Sequence, residues 1–321
     1  MSKPAASLLL AATLWLVWLP PLAAEDDSIR HFRVQEGRKL EILISSQFTP
    51  AMRDNLLQWV DYIAAALRGV YGHWPTRYWQ IAIVPTSASS ADPIPWAQVQ
   101  RYPTTRVEFF TSASATAQEL QGAWTGYHEL AHLLIPYRGS GDSWFSEGLA
   151  SYYQNILQAR VGLLSEREMW QRLYEGFQRG LAETRFDGQP LHSVSDGLRE
   201  DGGFMRVYWS GAWYFLAADA RLRLQSGGRL SLDQALARLN QCCAEERLSV
   251  PEIVTRLDEV NRVELFGSLY DEVAVSTTVP PFASIFSSLG IEIIDGQVQL
   301  QETGPGARVR KAIAAVAGPT L

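Results

Sequence analysis

Two histidines four residues apart enclose a glutamate in His128-Glu129-Leu130-Ala131-His132, inside a run from Ala117 to Ile135 with helical spacing and no internal proline. Residues four apart on a helix share a face one turn apart, so both imidazoles can reach one ion, while Glu129 sits about 100° round from His128. A catalytic zinc takes three protein ligands and keeps an open position. Glu147 is the candidate third ligand. It follows Trp144-Phe145-Ser146 and opens a second helical stretch, Gly148-Leu149-Ala150-Ser151-Tyr152-Tyr153, whose small residues allow close packing. The intervening Pro136-Tyr137-Arg138-Gly139-Ser140-Gly141-Asp142-Ser143 is rich in turn formers, and a helical hairpin there would bring Glu147 back to His128 and His132.

The rest of the chain places this hairpin in the middle of an α+β fold. His31 to Phe48 alternates apolar and polar residues around Gly37, which predicts a hairpin. Met52, Leu56, Leu57, Val60, Ile63, Ala64 and Leu67 recur at helical spacing after Thr49-Pro50, which predicts a helix from Pro50 to Tyr71. Tyr78 to Val84 and Arg106 to Phe110 read as strands, with a Ser-, Pro- and Ala-rich loop between them. Beyond Thr116 the pattern is helical almost throughout, until a small hairpin about Asp295-Gly296 between Ile291 and Leu300. Residues from 301 onward, with Gly304, Pro305, Gly306, Arg308, Arg310 and Lys311, have the composition of a tail.

With 47% hydrophobic and 19% charged residues the chain has the makings of a globular core rather than a disordered segment. Its formal net charge of −6 gives no support to a nucleic-acid partner. Lys3, the apolar run from Leu8 to Leu19 and the small residues Leu22-Ala23-Ala24 read as a cleaved signal peptide over residues 1–24, with an uncleaved membrane anchor as the rival reading, and cleavage predicts a secreted or periplasmic protein. No later segment is long and apolar enough to span a bilayer, so no stable membrane span is expected after cleavage. Cys242 and Cys243 are adjacent, a spacing that rarely reaches ordinary disulfide geometry, and they read as two thiols on a helix.

On these residues the sequence resembles the gluzincin zinc metallopeptidases, in the branch of the glycyl aminopeptidases and aminopeptidase N. There the two-histidine motif is followed by a tryptophan-bearing segment and a Glu-Gly-x-Ala helix, here Trp144 and Glu147-Gly148-Leu149-Ala150. The branch also carries a Tyr-x-x-Gly helix whose tyrosine stabilises the transition state, matched by Tyr208-Trp209-Ser210-Gly211, with Asp219 and Arg223 following as in the glycyl aminopeptidases. The resemblance implies a thermolysin-like catalytic region over residues 25–160, a mainly helical part over 161–300 that carries Tyr208, and a tail over 301–321.

It also implies one Zn²⁺ per chain on His128, His132 and Glu147, with Glu129 as general base and Tyr208 as oxyanion donor, acting on a peptide or unfolded-protein substrate. Phe204, Tyr208, Trp209, Trp213, Tyr214 and Phe215 equally form an aromatic helix suited to core packing. His192 lies in a polar stretch and reads as solvated, while His31 and His73 read as structural. Two departures restrict the inheritance. Only fourteen residues separate His132 from Glu147, fewer than in aminopeptidase N. No Gly-x-Met-Glu-Asn element precedes the histidines, and Glu108, the nearest acidic residue on a candidate substrate-side strand, lacks its glycines, so aminopeptidase action is not implied. The alternatives are a zinc hydrolase of a non-peptide bond, as in epoxide-opening relatives, and a zinc-containing binding module without turnover.

Overall fold

The computed structural model describes residues 27–87 and 92–315. The segment expected as a signal peptide, residues 1–24, lies outside them. The chain opens with the expected hairpin, β1 (Ser28–Gln35) and β2 (Arg38–Ser45), turned by Glu36 and Gly37 with φ of 50° and 73°. Helix α1 (Pro50–Tyr71) starts where Thr49 accepts a hydrogen bond from the Met52 amide and stops where Gly72 takes the left-handed conformation. Strands β3 (Tyr78–Thr86), β4 (Trp96–Gln100) and β5 (Arg106–Ser112) complete a five-stranded sheet of order β1-β2-β3-β5-β4. The β2–β3 and β3–β5 pairs are parallel, and β4 runs antiparallel along the edge of β5.

Strand β4 corrects the loop expected between Val84 and Arg106. Its alternation, Trp96-Ala97-Gln98-Val99-Gln100, spans only five residues between proline-rich turns, too short to stand out as a pattern. Leu40, Ile42, Ile44, Ile81, Ile83, Val107 and Phe109 form the buried face of the sheet, and Trp59 of α1 meets Phe109 edge-on at 4.9 Å between centroids.

The run expected as one helix from Ala117 to Ile135 is broken. Helix α2 (Ala117–Gly122), capped by a Thr116–Glu119 box, ends at Gly122, and Ala123 is extended, which re-aims α3 (Trp124–Ala131). His132 then begins a 3₁₀ turn ending at Leu134. Glycine lowers helix stability at this point, and the break lets α3 lie against α1 with Gly126 under the Trp59 ring.

Helix α4 (Ser143–Arg160) returns antiparallel, as the turn formers require. The helical part continues through α5 (Glu166–Ala182), the short α6 (Leu191–Asp196) and α7 (Leu198–Asp201), α8 (Phe204–Ser226), α9 (Leu232–Cys243), α10 (Val250–Asn261), α11 (Phe266–Ala274) and α12 (Ala283–Ser288). One contiguous core joins this part to the sheet region. Strands β6 (Ile291–Ile294) and β7 (Gln297–Leu300) make the terminal hairpin about Asp295 and Gly296. None of the helices in the described residues is long and apolar enough to cross a membrane.

Two expectations are corrected towards the C-terminus. The residues expected as a tail include helix α13 (Pro305–Ala314), which buries Ala307, Arg310 and Ile313. Fully buried Arg310 pairs with Glu166 at 2.6 Å and donates to the Gly290 carbonyl, so its charge serves packing and not solubility. Cys242 and Cys243 are joined as a disulfide in the last turn of α9, not left as two thiols. A bond between neighbours closes almost no loop, so it restrains that turn and contributes little of the chain-entropy stabilisation of a long-range bridge.

Helices α4 and α8 meet at two glycines. A Cβ on Gly148 would fall on the backbone of Gly211, and one on Gly211 would fall on the carbonyl of Trp144. The glycines of the Glu-Gly-x-Ala and Tyr-x-x-Gly motifs are thus the two halves of one contact, and it sets Tyr208 opposite Glu147. Gly211→Ala must push the helices apart and is expected to cost about 3 kcal/mol or more, read as a lower urea midpoint. A midpoint equal to the parent's would mean that the crossing has slack. Behind this contact Tyr152, Tyr153 and Arg160 of α4 bond Asp219 of α8 and Asp233 of α9, and Arg223 bonds Asp219 at 2.8 Å. Asp219 and Arg223 therefore tie helices together away from the histidines.

Candidate metal centre

The fold brings together all five residues singled out at the site. His128 Nε2 lies 3.2 Å and His132 Nε2 3.7 Å from the same oxygen, Oε2 of Glu147. Carboxylate Glu129 joins the two imidazoles in one compact group of potential ligand atoms. The Tyr208 ring stacks on His128, 5.7 Å between centroids at 25°, which sets its phenol on the side of the Glu147 carboxylate. Trp124 closes another side of His128 edge-on at 5.4 Å.

Each imidazole is also held from behind. His128 Nδ1 donates to Gln154 Oε1 at 2.9 Å, which in the neutral ring leaves Nε2 as a lone pair facing Glu147. His132 Nδ1 bonds Ser146 Oγ at 2.9 Å. Arg101 donates to the main-chain carbonyls of His132 and Ile135, which fixes the 3₁₀ turn that carries the second histidine. Gln154 is seven residues beyond Glu147 and so two turns along the same face of α4, a relation legible in the spacing. Ser146 is Glu147's neighbour. Arg101 comes from the loop after β4, and no sequence pattern points to it.

A ring lone pair and a carboxylate oxygen at 3.2 Å repel unless a cation or proton lies between them, so this donor set fits a cation. Two imidazole nitrogens and one carboxylate oxygen are a zinc set. Without metal the conflict falls on protons. Burial opposes charge on His128, but the hydrogen bond and charge of Glu147 outweigh it and hold the ring above its ordinary value. His132 is pushed down to about 3, by burial first and then against the charges of His128 and Arg101. Glu147 falls to about 2 although burial works the other way, because His132 and His128 stabilise its charge. Glu129 rises to about 7, chiefly through burial and further through Glu147. Burial and the neighbouring carboxylates hold the Tyr208 phenol protonated far above its usual range.

The remaining histidines stay outside this group. His192 is exposed on α6 beside Ser193, and His73 bonds the Trp74 carbonyl. Trp144 is fully buried, its indole stacked on Tyr270 and donating to Asp142, so it packs the start of α4. Trp213 donates to the Pro281 carbonyl. Glu108 bonds Gln98 across the β4–β5 pair.

The family model for M61 glycyl aminopeptidase matches residues 138–212, which run from the turn before α4 to the Tyr-x-x-Gly glycine of α8. Among solved structures, an aminopeptidase N family protein from Idiomarina loihiensis aligns with a TM-score of 0.62 at 14% identity, over 84% of this chain and 50% of that one. An M1 zinc metallopeptidase from Deinococcus radiodurans aligns with a TM-score of 0.48 at 18% identity, over 79% of this chain and 53% of that one. No curated protein matches the sequence. The chain thus spans about half the length of the solved structures it matches. It has an α+β fold shared with the aminopeptidase N family, a small mixed sheet followed by a helical part. Within that class it resembles the gluzincin branch of the glycyl aminopeptidases and aminopeptidase N, in the matched segment and in the paired histidines with their glutamate.

Proposed function

We propose that this chain is a zinc-dependent metallopeptidase of the gluzincin type, with His128, His132 and Glu147 as metal ligands, Glu129 as general base and Tyr208 as oxyanion donor. The observation that carries the reading is the convergence of Glu147 Oε2 on both Nε2 atoms, with Glu129 grouped with the two imidazoles and Tyr208 stacked on His128. Zinc, when bound there, supplies a Lewis acid that lowers the pKa of water at its open position and polarises a carbonyl.

The chain's own residues supply the rest. Glu129, in one compact group with both imidazoles, is placed to take a proton from the attacking water and return it to the leaving amine. Tyr208 keeps its proton and so can donate a hydrogen bond to the oxygen on which negative charge develops. Gln154 and Ser146 orient the imidazoles, and Gln154→Ala is expected to weaken zinc binding about 10- to 100-fold, measured by competition with a chromophoric chelator. Unchanged affinity would leave Gln154 a packing residue only.

The substrate class follows as peptides or unfolded protein outside the cytoplasm. Support for export comes from the Lys3 and Leu8–Leu19 pattern, together with a disulfide at Cys242–Cys243, a bond favoured in oxidising compartments. The test is digestion of a diverse peptide mixture by the zinc-loaded protein, with cut sites mapped by mass spectrometry and a chelated sample beside it. Cuts that need zinc are expected. A folded, zinc-loaded sample that cuts nothing would turn the reading to a non-peptide bond or to binding without turnover.

A further inference from the structure

Next to the histidines the chain forms an open cleft of about 410 Å³. Trp124, Gln154 and Tyr208, all in contact with His128, stand at its metal-site end. Its other wall is α5, which presents Arg172, Glu175 and Arg179 at spacings of three and four, on one helix face. That wall carries two cations and one anion. Among the described residues neither guanidinium is in an ion pair: Arg172 donates to the Gln158 side-chain carbonyl at 2.9 Å, and Arg179 lies over the Trp209 ring at 5.0 Å. Glu175 accepts a hydrogen bond from Gln171, and its charge acts on Arg179 one turn on without a direct ion pair.

The floor of the cleft is short of acceptors too. Asn155 and Trp209 line it at 2% and 3% exposure, and the buried Nδ2 of one and Nε1 of the other have no hydrogen-bond partner among the described residues. Buried donors are normally satisfied, and these two line the same cleft as a pair of guanidinium groups that are in no ion pair. Two guanidinium groups and two unpartnered buried donors thus stand against the single carboxylate of Glu175 in the cleft.

Resting on the peptidase reading, we infer that this cleft is a carboxylate subsite: Arg172 and Arg179 hold an anionic group of the substrate while the bond to be cut lies at the His128 end. In a peptide that group is either the C-terminal carboxylate or an Asp or Glu side chain. Guanidinium offers the planar fork that matches a carboxylate, and the indole of Trp209 beneath Arg179 keeps one of the two forks in place.

Two peptide pairs test this on the full zinc-loaded chain. One pair differs only in a free against an amidated C-terminus, and the other, amidated throughout, only in Glu against Gln. A preference for the acidic member of one pair is expected, about 10-fold or more in kcat/KM, and the pair that shows it identifies the source of the carboxylate. In R172Q/R179Q that ratio is expected to fall close to one. Both side chains are exposed, so the double variant should fold. Ratios near one in the parent, or a parental ratio that survives the double substitution, overturn the subsite. Should no peptide be cut, the peptidase reading fails separately, and calorimetry on zinc-loaded E129Q decides the subsite. Tighter binding of the acidic peptide that is lost with R172Q/R179Q supports it, and equal or undetectable binding of the two overturns it.

Discussion

Glu129→Gln is expected to retain one zinc per chain and to lose peptide hydrolysis by about 10³-fold or more. The amide keeps the size of the carboxylate and touches neither ring's Nδ1 anchor, Gln154 or Ser146, so the ligand set is undisturbed. What it cannot do is accept and return a proton. Glu147→Ala should behave in the opposite order. It removes the single oxygen on which both Nε2 atoms converge, and the metal itself is then lost on dialysis. Metal content by atomic emission, read beside turnover, separates the roles. Equal zinc loss in the two variants would contradict the assignment of Glu129 as base and Glu147 as ligand.

Tyr208→Phe is expected to lower kcat on the order of 10²-fold or more with little change in KM. The ring alone accounts for the stacking on His128, and phenylalanine retains it, so folding and zinc content should be unaffected. The hydroxyl is a different matter, because it is carried to the His128 side of the site by an aromatic helix whose next residue, Trp209, is buried. A steady-state comparison on one zinc-dependent peptide is sufficient. An unchanged kcat would return Tyr208 to the packing role that its aromatic neighbours also suggest.

The site was legible because it is local twice over. The spacing of His128 and His132 fixes their common face, and a turn-rich link to a second helix leaves Glu147 one place to go. Hairpins about Gly37 and Asp295-Gly296, and the helix from Pro50 to Tyr71, were legible for a similar reason: their turns and caps need residue types that few other positions tolerate. The misses are of another kind. Strand β4 is too short to show a period and exists through its pairing with β5. Helix α13 looked like a tail because buried Arg310 is paid for by Glu166 and the Gly290 carbonyl, partners distant in sequence. The break at Ala123 answers to the packing of α3 on Trp59.

By itself the sequence determined which side chains can share the candidate metal centre, the helical hairpin that presents them and the α+β order of elements, since backbone geometry over one or two turns fixes which side chains can meet. Only the tertiary structure decided that Gly148 and Gly211 form one contact, that Gln154, Ser146 and Arg101 hold the histidines, and that Arg172 and Arg179 face the cleft beside them. Those relations join segments far apart in the chain. They follow from which surfaces pack together, and hydrophobic burial drives that packing without leaving a periodic trace in the order of residues.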